Sequence, residues 1–200
     1  MTVRKGDRTR SAILDEALAL ASQRGLEGLS IGALAQALGM SKSGLFAHFG
    51  SKEDLQVQTL ERAQARFEQA VFRPALPHPA GLPRLRALFG NWLVWLEGAK
   101  DVPGGCTILA AAAEYDDRPG PVRDRVLAGQ RELRGALAKI VRGAVDAGHL
   151  GAGTDPWQVT FEIYGLILAA HHEHRLLGDA RAAFRAQAAF ERLIADHAQG

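Results

Sequence analysis

The chain carries a single cysteine, Cys106, among its 200 residues. No intrachain disulfide can form, which fits a reducing, cytoplasmic setting. As a lone thiol Cys106 reads either as a buried structural side chain or as a redox sensor. Long apolar runs are missing too. No stretch approaches the ~20 residues that span a bilayer, and the N-terminus lacks the apolar centre of a secretory signal. A soluble protein with no membrane partner is therefore expected. Charge is nearly balanced, with 24 Lys and Arg against 22 Asp and Glu and a formal net charge of +2, so the chain is not a uniformly basic coat for nucleic acid. Common enzyme motifs are also lacking: no nucleophile with base and orienter, no glycine-rich phosphate loop and no closed metal motif. With no strand pattern and no internal repeat, the expected fold is all-α, with about nine helices.

What is present is concentrated in residues 30 to 55, SIGALAQALGMSKSGLFAHFGSKEDL. Ser30 is placed to cap a helix by accepting a backbone N–H. Ile31, Leu34, Ala35 and Leu38 then fall at i, i+3, i+4 and i+7, the apolar face of that helix. Gly39 ends it, Met40 sits in the turn above the core, and Ser41 caps a second helix, Lys42 to Phe49, that buries Leu45 and Phe49. Gly50 stops the second helix. Ser51 caps a third, whose Glu53 and Asp54 suit the helix dipole. Two short helices joined by a tight turn form a helix-turn-helix, a device for reading duplex DNA. The outward face of the second helix has small residues, a cation and no carboxylate, as a surface approaching phosphate requires. Gly44 disfavours that helix by ~1 kcal/mol relative to Ala. It serves either close approach to another surface or tight packing between two helices of the motif.

Residues 9 to 55, from TRSAILDEALALASQRG to the segment above, resemble the DNA-binding domain of the TetR family of one-component transcriptional regulators. The resemblance implies a homodimer, with a helix-turn-helix domain at residues 1–55 and a larger C-terminal ligand-binding and dimerisation domain at residues 56–200. It also implies that Lys42, Ser43, Gly44, Phe46, Ala47 and His48 face a double-stranded DNA operator, that Ser30 belongs to the same DNA-binding set, and that Lys52 grips phosphate. Phe46 replaces the tyrosine usual in the family, so a phenol bond to phosphate gives way to apolar contact, for instance with a thymine methyl. The arm before the domain, about residues 1–8 and on to Arg10, holds Arg4, Lys5, Arg8 and Arg10 against Asp7. It is either a solvated tail or a strand lying along phosphates or in the minor groove.

Beyond the head, helices are expected from Thr9 to Arg24, Lys52 to Phe72, Leu82 to Ala99, Cys106 to Tyr115, Pro121 to Ala147, Pro156 to Leu177 and Ala180 to His197. The break PALPHPAGLP at 74–83 interrupts them. The segment 157–174 is apolar on more than one face, so it must be covered on most sides. The family resemblance implies that helices 156–177 and 180–197 pair with their counterparts as the dimer interface, while the residues alone read equally as monomer core. Phe89, Trp92, Trp95, Cys106, Phe161 and Tyr164 are candidate lining for a pocket that takes an unknown small-molecule effector; the same stripe also reads as core. His171, His172 and His174 raise a metal question, because His171 and His174 share a helical face. They read more simply as solvated or interface residues, and Glu114, Asp116 and Asp117 as turn and capping acids. No cofactor is implied. The expected function is a ligand-responsive regulator, most simply a repressor released by its effector. A helical protein-interaction module and an all-α enzyme are the alternatives.

Overall fold

A computed structural model describes residues 5–98 and 103–198. Nine α-helices run through the described residues: α1 (Lys5–Arg24), α2 (Ile31–Leu38), α3 (Lys42–Phe49), α4 (Lys52–Phe67), α5 (Leu82–Leu96), α6 (Thr107–Glu114), α7 (Pro121–Asp146), α8 (Pro156–Arg175) and α9 (Ala182–Ala198). Arg4 of the basic arm lies outside the described residues, as does Ala99, the expected end of the fifth helix; that helix in fact stops earlier, at Leu96, with Glu97 as its cap and Gly98 at φ 96°. The rest of the arm differs from expectation, because α1 begins at Lys5. Nothing between Lys5 and Thr9 breaks a helix except Gly6, and one exposed glycine costs only ~1 kcal/mol. After α4 the chain widens into a π-helical turn, Glu68–Phe72, and then tightens through a 3-10 turn, Arg73–Ala75, as it enters the proline-rich break.

The helices group into two compact units. One holds the described residues of 1–66 and 98–129; the other holds 67–97 and 130–198. The first therefore contains α1, α2, α3, nearly all of α4, all of α6 and the start of α7. Its core beneath the helix-turn-helix is Ile13, Ala17, Leu29, Leu34, Leu45, Phe49 and Leu55, with Met40 packed against it. The caps are those the sequence proposes. Ser30 Oγ accepts the Ala33 N–H, Ser41 Oγ accepts the Gly44 N–H, and Gly39 takes φ 62° at the end of α2. Ser51 Oγ accepts the Asp54 N–H and donates to its carboxylate.

The inclusion of α6 in this unit has a physical cause. Gly104 donates its N–H to Ser22 Oγ at 3.0 Å. A Cβ on Gly104 would stand 1.7 Å from the Ser22 carbonyl oxygen, so only glycine lets the loop before α6 lie against the end of α1. At the far end of α6, the Glu114 carboxylate accepts the Leu26 and Glu27 backbone N–H groups, each at 2.9 Å. It is a capping acid, as expected, but it caps the α1–α2 loop rather than its own turn.

In the second unit α8 and α9 lie side by side and α5 packs on α8. Phe89 and Phe190 stack with centroids 4.2 Å apart, and Arg86 pairs with Glu191 at 2.9 Å. Arg84 holds the break before α5 by donating to the Leu76 and His78 carbonyls. No helix among the described residues is long and apolar enough to cross a membrane.

Candidate functional site

The face of α3 is built by its buried side. Leu45 and Phe49 are sunk into the core, which turns Lys42, Ser43, Phe46 and Ala47 outward, with Gly44 and His48 half-buried. Ser30 and Ser41 are also exposed at the helix starts. Phe46 is 46% exposed, a large apolar side chain left uncovered on an otherwise small-residue face. Lys42 leans back across α2: a Cβ on Gly32 would meet its Cε at 3.4 Å. The two readings of Gly44 now separate. A Cβ there would meet only Ser41 Oγ, its own cap, at 3.1 Å. No neighbouring helix among the described residues requires this glycine, so close interhelical packing does not explain it.

Arg10 does not act as part of a free arm. Its Nη1 donates to the His48 carbonyl and its Nη2 to Gln58 Oε1, each at 2.6 Å. The guanidinium lies 5.0 Å from the Phe49 ring centroid. One arginine on α1 thus fixes the C-terminal end of α3 against α4. Asp15 and Arg62 add a two-pronged pair between α1 and α4 at 2.9 and 2.8 Å.

Lys52, three residues past α3, is already engaged. Its Nζ donates to the Glu27 carbonyl at 2.9 Å and to Glu27 Oε1 at 3.0 Å. Glu27 Oε2 accepts the Tyr115 hydroxyl at 3.2 Å. Gln56, buried, donates its amide to the Leu26 carbonyl and to the Tyr115 oxygen. The Lys52 hydrogen bond holds the Glu27 carboxyl below its ordinary range. Burial, and then the charges of Glu27 and Glu114, push the Tyr115 phenol well above its usual value. Tyr115 therefore stays neutral and donates. Glu27, Lys52, Gln56, Tyr115, Arg118 and Arg123 line a depression of about 360 Å³. Sequence reasoning missed Glu27, Gln56 and Tyr115, because nothing in local periodicity joins them.

The candidate effector residues divide. Trp92 and Trp95 on α5 meet Phe67 edge-on, at 5.2 and 5.7 Å. Trp92 also meets Tyr164 of α8 at 6.2 Å. Tyr164 donates its hydroxyl to Gln130 Oε1 at 2.9 Å and carries the Arg134 guanidinium 4.3 Å above its ring. Trp92 Nε1, Gln130 Nε2 and Thr160 Oγ1 are buried with no hydrogen-bond partner among the described residues. Phe89 pairs with Phe190 instead and is core. Cys106 is the buried N-cap of α6 and lies in the other compact unit. Phe161 does not join the cluster. It is 64% exposed, since the register of α8 buries Ile163, Tyr164 and Ile167.

That register leaves a second apolar stripe on α8. Trp157, Phe161 and Leu168 are exposed, with Phe184 of α9 exposed as well. His171 is half-buried, and burial followed by the nearby charges of Arg175, His174 and His172 lowers its pKa. Among the described residues no three His, Cys, Asp or Glu side chains are placed to share a metal ion. A separate depression of about 330 Å³ is lined by Leu93, Leu96, Glu97, Ala170, His174 and Ala183, among others.

Two family models match the chain. Residues 13–58 fit "Bacterial regulatory proteins, tetR family", and residues 81–190 fit "Tetracyclin repressor-like, C-terminal domain". A 54-residue segment is 41% identical to the HTH-type transcriptional regulator AcrR of Shigella flexneri, spanning 27% of this chain and 25% of that protein. A TetR transcriptional regulator from Chloroflexus aurantiacus superposes with a TM-score of 0.85 at 26% identity, over 98% of both chains. AibR, solved in complex with isovaleryl coenzyme A and operator DNA, superposes with a TM-score of 0.71 at 20% identity, over 94% of this chain and 97% of its own.

Proposed function

The chain belongs to the TetR family of DNA-binding transcriptional regulators, and on that premise we propose that it acts as a homodimeric, effector-released repressor of the cytoplasm. Two α3 helices enter successive major grooves of a near-palindromic operator, as two-fold symmetry favours. The observation that carries this reading is the α3 face: exposed, free of carboxylates and anchored by Leu45 and Phe49 beneath it. Lys42, Ser43, Gly44, Phe46, Ala47 and His48 supply the contacts in the groove. Ser30 and Lys52 flank them on the backbone. Residues 1–55 are the reading head, and residues 56–200 dimerise and take the effector.

The stripe of Trp157, Phe161 and Leu168, with Phe184, is the surface that a second copy covers, because soluble chains rarely leave such apolar area open. The effector binds in the second unit near Trp92 and Tyr164. A buried polar group without a partner costs about 1–3 kcal/mol, and an acceptor atom of a small molecule would relieve Trp92 Nε1 or Gln130 Nε2. Linkage requires the effector to prefer the state that does not bind DNA, with coupling of about 1–3 kcal/mol.

The test is a binding assay on the duplex upstream of the protein's own gene, using Lys42→Ala and Lys52→Ala. Both variants should bind more weakly, and each lost phosphate contact should flatten the salt dependence by about one. Unchanged affinity in both would remove this docking mode.

A further inference from the structure

We propose that Glu27 is a built-in competitor of DNA for Lys52, so that duplex phosphate must displace a carboxylate before the lysine can engage it. The inference rests on the docking proposed above, in which Lys52 meets phosphate. An ammonium has three N–H donors, and Glu27 occupies two of those on Lys52, through its carbonyl at 2.9 Å and its Oε1 at 3.0 Å. A phosphate brought to the remaining donor would meet a carboxylate already bonded to the same nitrogen.

Glu27 is held at two further points. Its backbone N–H is held by Glu114 Oε1 at 2.9 Å, and its Oε2 accepts the Tyr115 hydroxyl at 3.2 Å. Tyr115 is positioned in turn by the buried Gln56 amide. Glu114 and Tyr115 stand at the end of α6. The position of the competitor therefore depends in part on a segment outside the helix-turn-helix. Glu27 acts on DNA binding through Lys52.

The experiment measures binding of the full chain to a mixed-sequence duplex at low salt, where phosphate contacts dominate. Four proteins are compared with wild type: Glu27→Gln, Glu53→Gln, Lys52→Ala and the Lys52→Ala, Glu27→Gln pair. Glu53 is exposed and adjoins Lys52 in sequence, so its variant removes the same charge without breaking the bridge. Glu27→Gln should tighten binding about 1.5- to 5-fold for each engaged head, the range for one exposed ion pair. It should also steepen the salt dependence by up to about one per head, and the gain should vanish in the Lys52→Ala background. If Glu27→Gln binds no tighter than Glu53→Gln, or binds more weakly, then Glu27 does not compete but orients the lysine, and the inference is overturned while a weakened Lys52→Ala leaves the docking intact. If Lys52→Ala binds as wild type does, the role of Lys52 in docking fails, and this inference with it.

Discussion

Glu114 tests how the first unit is held together. Its carboxylate accepts the Leu26 and Glu27 amides at 2.9 Å each, from 88 and 87 residues away. In Glu114→Ala both donors lose their acceptor. The Leu26 amide is part-buried, so leaving it unpaired costs about 1–3 kcal/mol, while the exposed Glu27 amide regains water and loses about 0.5–1.5 kcal/mol. A total of about 1.5–4.5 kcal/mol is expected, with Glu114→Gln, which keeps one acceptor oxygen, losing roughly half. Gly25 supplies the other corner of a double-mutant cycle. At φ 75° an alanine costs about 1–2 kcal/mol in backbone strain. Its Cβ would also stand 2.8 Å from Glu114 Oε1 and push the clamp apart. With Glu114 already replaced, only the strain remains, so Gly25→Ala, Glu114→Ala should be less destabilised than the sum of the singles by about 1 kcal/mol. Urea denaturation gives the totals, and hydrogen exchange at the Leu26 and Glu27 amides reports the clamp directly. A loss below about 0.5 kcal/mol for Glu114→Ala, the scale of an ordinary surface change, with unaltered Leu26 exchange, would refute the reasoning.

Two further outcomes are expected. Phe161→Asp places a charge in the middle of the exposed α8 stripe. Burying an unpaired carboxylate costs several kcal/mol, so the dimer constant should weaken more than about 100-fold in sedimentation equilibrium, and a persisting dimer would move the interface elsewhere. His171 should make stability depend on pH. Its folded-state value lies below the free imidazole value of 6.5, so the unfolded chain takes up the proton first. Stability is level above 6.5 and falls as pH drops from there through the folded value; His171→Gln should flatten that part of the curve in urea midpoints.

Helix order was legible because start and stop signals are local. Ser30, Gly39, Ser41 and Gly50 each act within a few residues of themselves, and each is found at its expected helix end. Pro156 at the start of α8 and Gly148 after α7 belong to the same class. What local pattern cannot supply is a partner far along the chain. Arg10 reads as one more cation in a basic arm, yet its bonds go to His48 and Gln58. Nothing beside Gly104 in the sequence marks a partner, yet it is where the loop before α6 lies against α1. A cut near residue 55 follows the helix-turn-helix motif; packing instead gathers α6 and the start of α7 with the N-terminal helices.

The candidate site was legible to the same depth. Amphipathic spacing fixes which side of α3 is buried, and so which side is offered, since Leu45 and Phe49 leave one choice. On α8 the pattern is apolar on two sides, and periodicity cannot say which side the rest of the chain covers. Only packing separates Tyr164, set against Trp92, from Phe161, three residues earlier and open. Polar members of an apolar site are harder still. Thr160 and Gln130 have nothing in their neighbouring residues to mark them, and they become conspicuous only because the folded chain buries their polar atoms and offers no partner among the described residues. Lys52 shows the limit from the other side. Its residue type and place after α3 make it a candidate phosphate contact by resemblance, but the partner it holds in the fold is Glu27, a residue of the α1–α2 loop held by Glu114 and Tyr115. A candidate binding residue is thus proposed from local sequence, whereas what already occupies its side chain is a property of the fold.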